Sequence, residues 1–149
     1  MNIDTIYKIK TIKVELKVSD FGKEKADTPY RAFKILYGIF QNLDADQEHF
    51  VVLTLNSRNA ITGYRVVSSG GQDEAAVDLK VLFRSALLLG AVSIIVAHNH
   101  PSGELLPSDD DISLTTRIKK ACQILGLKLL DHIIIAGSRY LSFAEKGIL

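Results

Sequence analysis

The sequence predicts a mixed α/β domain (α+β in its segregation of strand pairs): one β-sheet flanked by helices. Three observations lead there. Apolar runs with strand character fall in pairs, helical stripes fall between the pairs, and one short run is apolar throughout, as a strand buried on both faces must be. The chain has 149 residues, 47% of them hydrophobic, which suits a single domain with a sizeable core.

The elements follow in the order β-α-β-β-α-β-α-β-β. Residues 6 to 18 (IYKIKTIKVELKV) alternate apolar and polar and read as a strand. DTPYRAFKILYGIFQNLD reads as a helix, with Thr28 able to cap it and Pro29 suited to its first position. EHFVVLTLNS and ITGYRVVSSG are β-rich runs joined through SRN, the signal of an antiparallel hairpin. Residues 73 to 89 carry a helical stripe that Gly90 ends. VSIIVAHNH is the continuous apolar run and is expected at the centre of the sheet. Residues 108 to 125 form a further helix, stopped by Gly126, and KLLDHIIIAG and YLSF are two strands around a GSR turn. The glycines of SSGGQ, residues 68 to 72, suit a flap or a loop with positive φ angles. Residues 1–45 are either part of the domain or an arm appended to it, and the main domain is expected over residues 46–149.

Composition narrows the function. The net charge is +1 and the pI about 7.8, without the basic stripe of a dedicated nucleic-acid binder. Lys8, Lys10, Lys13 and Lys17 alternate along the first strand, but Glu15, Asp20 and Glu24 dilute them. The single cysteine, Cys122, allows no internal disulfide and sits in a helical apolar pattern, as a small buried hydrophobe would. The opening MNIDTIYKIK is too polar for a signal peptide, and no apolar run reaches the roughly 18 residues of a membrane span. A cytoplasmic protein with no membrane partner is expected.

The chemistry concentrates in IIVAHNHPSGELLPSDDD, residues 94 to 111, which holds two of the four histidines. In an extended chain His98 and His100 point to one side, so two imidazoles can share one metal ion. Pro101 and Gly103 turn the chain, and Asp111 arrives in the first turn of the next helix. Two histidines and a carboxylate, with a position left for water, make a catalytic zinc set, although other divalent ions accept the same donors. The same residues also read as an ordinary helix start. Ser108 would be the N-cap, Asp111 its reciprocal partner, and the aspartates would favour the positive end of the helix dipole. The two readings are compatible.

The pattern His98-Asn-His100-Pro101, then Ser108, then Asp111, resembles the JAMM motif of the JAB/MPN metallohydrolases: H-x-H-P, a short spacer and S-x-x-D, with a glutamate on an earlier strand. AHNHPSG, PS..D, LLDHIIIAG and Y.SF, together with EHFVVLTLNSRNAI, are similar to the bacterial RadC family over about residues 45 to 145. The resemblance implies the three-layer JAB/MPN (cytidine-deaminase-like) architecture. It implies that His98, His100 and Asp111 hold Zn2+, that Glu48 is the general base acting on a metal-activated water, and that Ser108 helps to stabilise the oxyanion. It further implies a zinc metallopeptidase or isopeptidase acting on a protein or peptide. The family's DNA-repair name offers an alternative, an accessory protein of DNA repair or a mobile element that binds nucleic acid and does no hydrolysis. A third reading is an interaction module with a structural metal.

Some residues depart from the family pattern or fall outside its site. The His-Pro-Arg-Glu stretch typical before the zinc strand is replaced by AAVDLKVLF, with Asp78 and Lys80, which puts substrate preference in question. Residues 1–45 show no helix-hairpin-helix motif, the family's usual DNA-binding part. Leu105 and Leu106 in the GELLP spacer either contact substrate or pack on the core. His49 should face away from the site. His132 reads as a structural histidine of a strand core rather than a fourth ligand, and Asp131 beside it is at most a residue of the site's edge.

Overall fold

A computed structural model describes residues 24–70 and 77–149. The first predicted strand, its lysines and most of the glycine-rich turn lie outside these residues. Among the described residues the order is α1 (Pro29–Phe40), β1 (Glu48–Leu55), β2 (Ile61–Gly70), α2 (Leu79–Leu88), β3 (Ser93–Asn99), α3 (Asp109–Leu125), β4 (Lys128–Ala136) and β5 (Arg139–Ser142). The strands form one mixed sheet in the order β2-β1-β3-β4-β5. β3 is central, as its unbroken apolar run predicts. The hairpins β1–β2 and β4–β5 are antiparallel, β1 also pairs antiparallel with β3, and β3 and β4 are parallel and joined through α3.

The sheet buries both faces. Val51, Leu53 and Leu55 of β1, Ile95 and Ala97 of β3 and Ile133 and Ile135 of β4 pack with Ala32, Phe33, Leu36, Ile39 and Phe40 of α1. The alternate residues, Phe50 and Val52 of β1 and Ile94 and Val96 of β3, pack with Leu82, Phe83 and Ala86 of α2 and Ile118 and Cys122 of α3. The result is three layers, with α1 on one side of the sheet and α2 and α3 on the other. Cys122 is a buried core residue, and burial pushes its thiol up to about 11.

The helix ends follow local chemistry. Thr28 caps α1 by accepting from Arg31 N, with Pro29 at its start, as expected. Gly126 ends α3 in the left-handed region, at φ 72°. The start of α2 differs from the sequence expectation. Asp78 is its N-cap, accepting from Lys80 N at 2.9 Å, so Val77 and Asp78 lie outside the helix predicted from residue 73. An aspartate at that position competes for the backbone N–H groups and sets the boundary that the apolar stripe alone blurs.

One irregularity matters for the site. Ile94 pairs with Leu129 but Ile95 pairs with Asp131, so Leu130 is an extra residue in β4. A one-residue shift exchanges the faces of every later side chain. It places His132 level with Val96, on the α2–α3 side of the sheet, where it meets His98.

Candidate metal centre

The C-terminal end of β3 and the N-terminal end of α3 converge on one point. His98 Nε2 lies 2.9 Å from His100 Nε2 and 3.2 Å from Asp111 Oδ1, and His100 Nε2 is 3.4 Å from Asp111 Oδ2. One ligand atom from each of the three lies within 4.8 Å of the others, the one such group of metal-binding residue types among the described residues. Each partner is held from behind. His100 Nδ1 donates to Glu104 O at 2.7 Å, and its backbone N–H donates to Ile135 O at 2.9 Å. Pro101 and Gly103 turn the chain as expected: Gly103 N–H donates back to His100 O at 3.0 Å, and Gly103 has φ 86°. Arg139 Nη2 reaches over from β5 and donates to Gly103 O at 2.8 Å, pinning the loop to the sheet edge.

Asp111 serves as helix cap partner while facing the histidines. Ser108 Oγ accepts from Asp111 N at 3.0 Å and Ser108 N donates to Asp111 Oδ2 at 2.8 Å, a complete capping box. The capping therefore aims the carboxylate at the imidazoles instead of competing with that task. Burial pushes the Asp111 carboxyl up, but its contacts with the His100 and His98 imidazoles outweigh it and hold the group well below the usual carboxylate range. The Asp111 carboxylate in turn raises His100 above its ordinary value, against burial, with Glu104 O and the charge of Glu48 adding to the effect.

Glu48 opens β1 on the same face as Phe50, and Phe50 pairs with His98. Carrying that register two residues further brings Glu48 level with His100. The side chain between the two histidines sets this arrangement. Asn99 Oδ1 accepts from His49 N at 2.7 Å and Asn99 Nδ2 donates to Gln47 O at 2.8 Å, so one amide grips the backbone on both sides of Glu48. His49 is buried on the opposite face of the strand, its Nε2 2.7 Å from Asp44 O. Leu106 is 77% exposed and does not pack on the core, whereas Leu105 is partly covered.

His132 is the buried, hydrogen-bonded strand-core histidine expected, and it also touches the site: its Nε2 is 2.7 Å from His98 Nδ1, and its Nδ1 is 2.6 Å from Thr115 Oγ1. Phe50 stacks on His98, and Phe143 stacks on His132 at a ring separation of 4.6 Å. Thr115 was not singled out by sequence reasoning, although its place one helical turn after Asp111 is a signal that could have found it. Asp131 is not at the edge of the site. Its carboxylate accepts from His132 N at 2.8 Å, Ala144 N at 3.0 Å and Ser142 Oγ at 2.5 Å, a buried brace between β4 and the chain after β5.

The donor set fits a divalent cation of the zinc type. Two imidazole nitrogens and a carboxylate converge, while the second nitrogen of each histidine is engaged elsewhere, the arrangement found around metal-ligating histidines. Comparison with known proteins agrees in family. The family model for a RadC-like JAB domain matches residues 26–148. Similar chains include a UPF0758 protein of Carboxydothermus hydrogenoformans, 50% identical over 68% of this chain and 45% of its own length. Others are a UPF0758 protein of Staphylococcus epidermidis, 45% identical over 87% of this chain and 56% of its own length, and one of Clostridium perfringens, 37% identical over 89% and 58%. The chain thus spans about half the length of these curated relatives. On these matches the chain belongs to the RadC-like JAB domain family.

Proposed function

We propose that this domain is a zinc-dependent metallohydrolase that cleaves a peptide or isopeptide amide bond. The observation that carries the reading is the convergence of His98 Nε2, His100 Nε2 and Asp111 on one point, on the same sheet face as Glu48. His98, His100 and Asp111 would hold the ion. Zinc, when bound, supplies a Lewis acid that lowers the pKa of water toward about 7 and polarises a carbonyl.

The chain's own residues do the remainder. Glu48 takes a proton at its carboxylate and returns it to the departing amine, a general base and then a general acid. Asn99 keeps that carboxylate in place through the backbone on either side of it. Ser108 accepts from Asp111 N, which leaves its hydroxyl hydrogen to donate to an oxyanion. The exposed Leu106, in the loop between the ligands, offers an apolar contact to a peptide substrate.

A panel of peptide and isopeptide amides incubated with purified protein tests the reading. Cleavage that Glu48→Gln lowers by at least about a hundredfold, the lower range of a general-base contribution, is expected. Equal cleavage by the two proteins would contradict the role of Glu48.

A further inference from the structure

We propose that Thr115 and His132 are positioning residues that fix the proton of His98 on Nδ1 and thereby turn its Nε2 lone pair toward the metal. The inference rests on the reading of His98, His100 and Asp111 as a metal set, but it concerns residues outside that set. The Thr115 hydroxyl donates to Asp111 O, one turn back, at 2.6 Å. A hydroxyl has one hydrogen, so toward His132 Nδ1, 2.6 Å away, Thr115 Oγ1 can only accept. His132 Nδ1 therefore carries a proton.

His132 is 0% exposed and packed against Phe50 and Phe143. A second ring proton would bury an uncompensated charge there, so the ring, protonated on Nδ1, is neutral and its Nε2 is an acceptor. At 2.7 Å from that acceptor, His98 Nδ1 must be the donor. The His98 proton is then on Nδ1, and the Nε2 lone pair points to His100 and Asp111. A histidine side chain in water prefers the opposite form, with the proton on Nε2. The relay Asp111 O, Thr115 Oγ1, His132, His98 sets the tautomer against that preference, and it starts and ends within the ligand set. His100 reaches the same orientation more simply, through Glu104 O.

Nuclear magnetic resonance of 15N-labelled, metal-stripped protein tests the relay directly. Two-bond couplings from the ring carbon protons, recorded at about pH 8, above the usual imidazole pKa, report which nitrogen carries each proton. The expected result is His98 and His132 both protonated on Nδ1. Thr115→Val should release the tautomers and weaken zinc binding, read by competition with a chromophoric chelator, by roughly ten- to a hundredfold. Thr115→Ser should restore both. His98 protonated on Nε2 in the wild-type chain would overturn the proposal without any variant having to fold. Equal zinc affinity in folded wild-type and Thr115→Val protein would overturn it while leaving the metal reading intact. A wild-type chain with His98 protonated on Nδ1 that binds no zinc would instead overturn the metal reading and leave the relay standing.

Discussion

Asp111 and His100 lean on one another, and this coupling has a pH signature in the metal-free protein. The carboxyl of Asp111 is depressed by its histidine partners, so its contribution to stability is present above the unfolded value of about 3.9 and lost as pH falls through the lower folded one. His100 is raised by Asp111, so its contribution is complete below about 6.5 and lost as pH rises through its folded pKa. Thermal melts of metal-free wild-type and Asp111→Asn protein should therefore differ most between about pH 4 and 6.5, and the gap should narrow above that window. A gap that widens steadily toward alkaline pH would contradict the pairing. Zinc must displace the His100 proton, so zinc affinity should climb with pH until His100 is deprotonated and then level off, as chelator competition across pH would show. The three converging residues were legible in the sequence: spacing offered them as a metal set beside a helix-cap reading, and the resemblance to the JAMM motif turned the balance to metal. The contact of His132 with His98 was not, because the face of His132 depends on the extra residue Leu130, which no alternation of apolar and polar residues reveals in a strand buried on both sides. For Thr115 the one available signal was its place one helical turn after Asp111; its two partners show only in the fold.

At the scale of elements, two short devices aim the site. The first is the amide of Asn99, which ties the start of β1 to the end of β3. Asn99→Ala removes two hydrogen bonds and should cost about 1–3 kcal/mol in chemical denaturation. On a cleaved substrate it should lower kcat more than it raises KM, because Glu48 loses its footing. A loss of stability with unchanged kcat would reduce Asn99 to a sheet clamp. The second device is the capping box of α3. Ser108→Ala should destabilise by about 1 kcal/mol in the same measurement, the usual cost of a lost N-cap. A change near zero would show that α3 starts without it. Both ends of α3 were readable from Ser108 and Gly126, which are specific chemical signals. The start of α2 was not, because the residues ahead of Asp78 extend an apolar stripe without a cap of their own.

In the whole molecule α1 shares a core with the sheet. Leu36 of α1 is fully buried against the same apolar face as Val51, Leu53 and Ile133. Leu36→Ala should therefore cost about 2–5 kcal/mol in a denaturant melt, in a single transition that also carries the sheet. A separate early transition for α1 would contradict one shared core. The fold class was legible because the pairing of strand-like runs and the position of the all-apolar run constrain a sheet strongly; the three-layer arrangement follows once both faces of β1 and β3 are seen to be apolar. No described helix is long and apolar enough to cross a membrane. The net charge of +1 gives the chain little general attraction for phosphates. Binding to duplex DNA at low salt, tested by fluorescence anisotropy, should be weak, and tight binding with a steep salt dependence would favour the nucleic-acid alternative. The most direct measurement of the central claim is the metal content of protein purified without a histidine tag, by inductively coupled plasma mass spectrometry, beside Asp111→Ala. The expected result is about one zinc per chain, absent from the variant, as three converging ligands require. A wild-type chain that holds no zinc even after supplementation would contradict it, and would leave the two histidines as a strand end facing a capped helix.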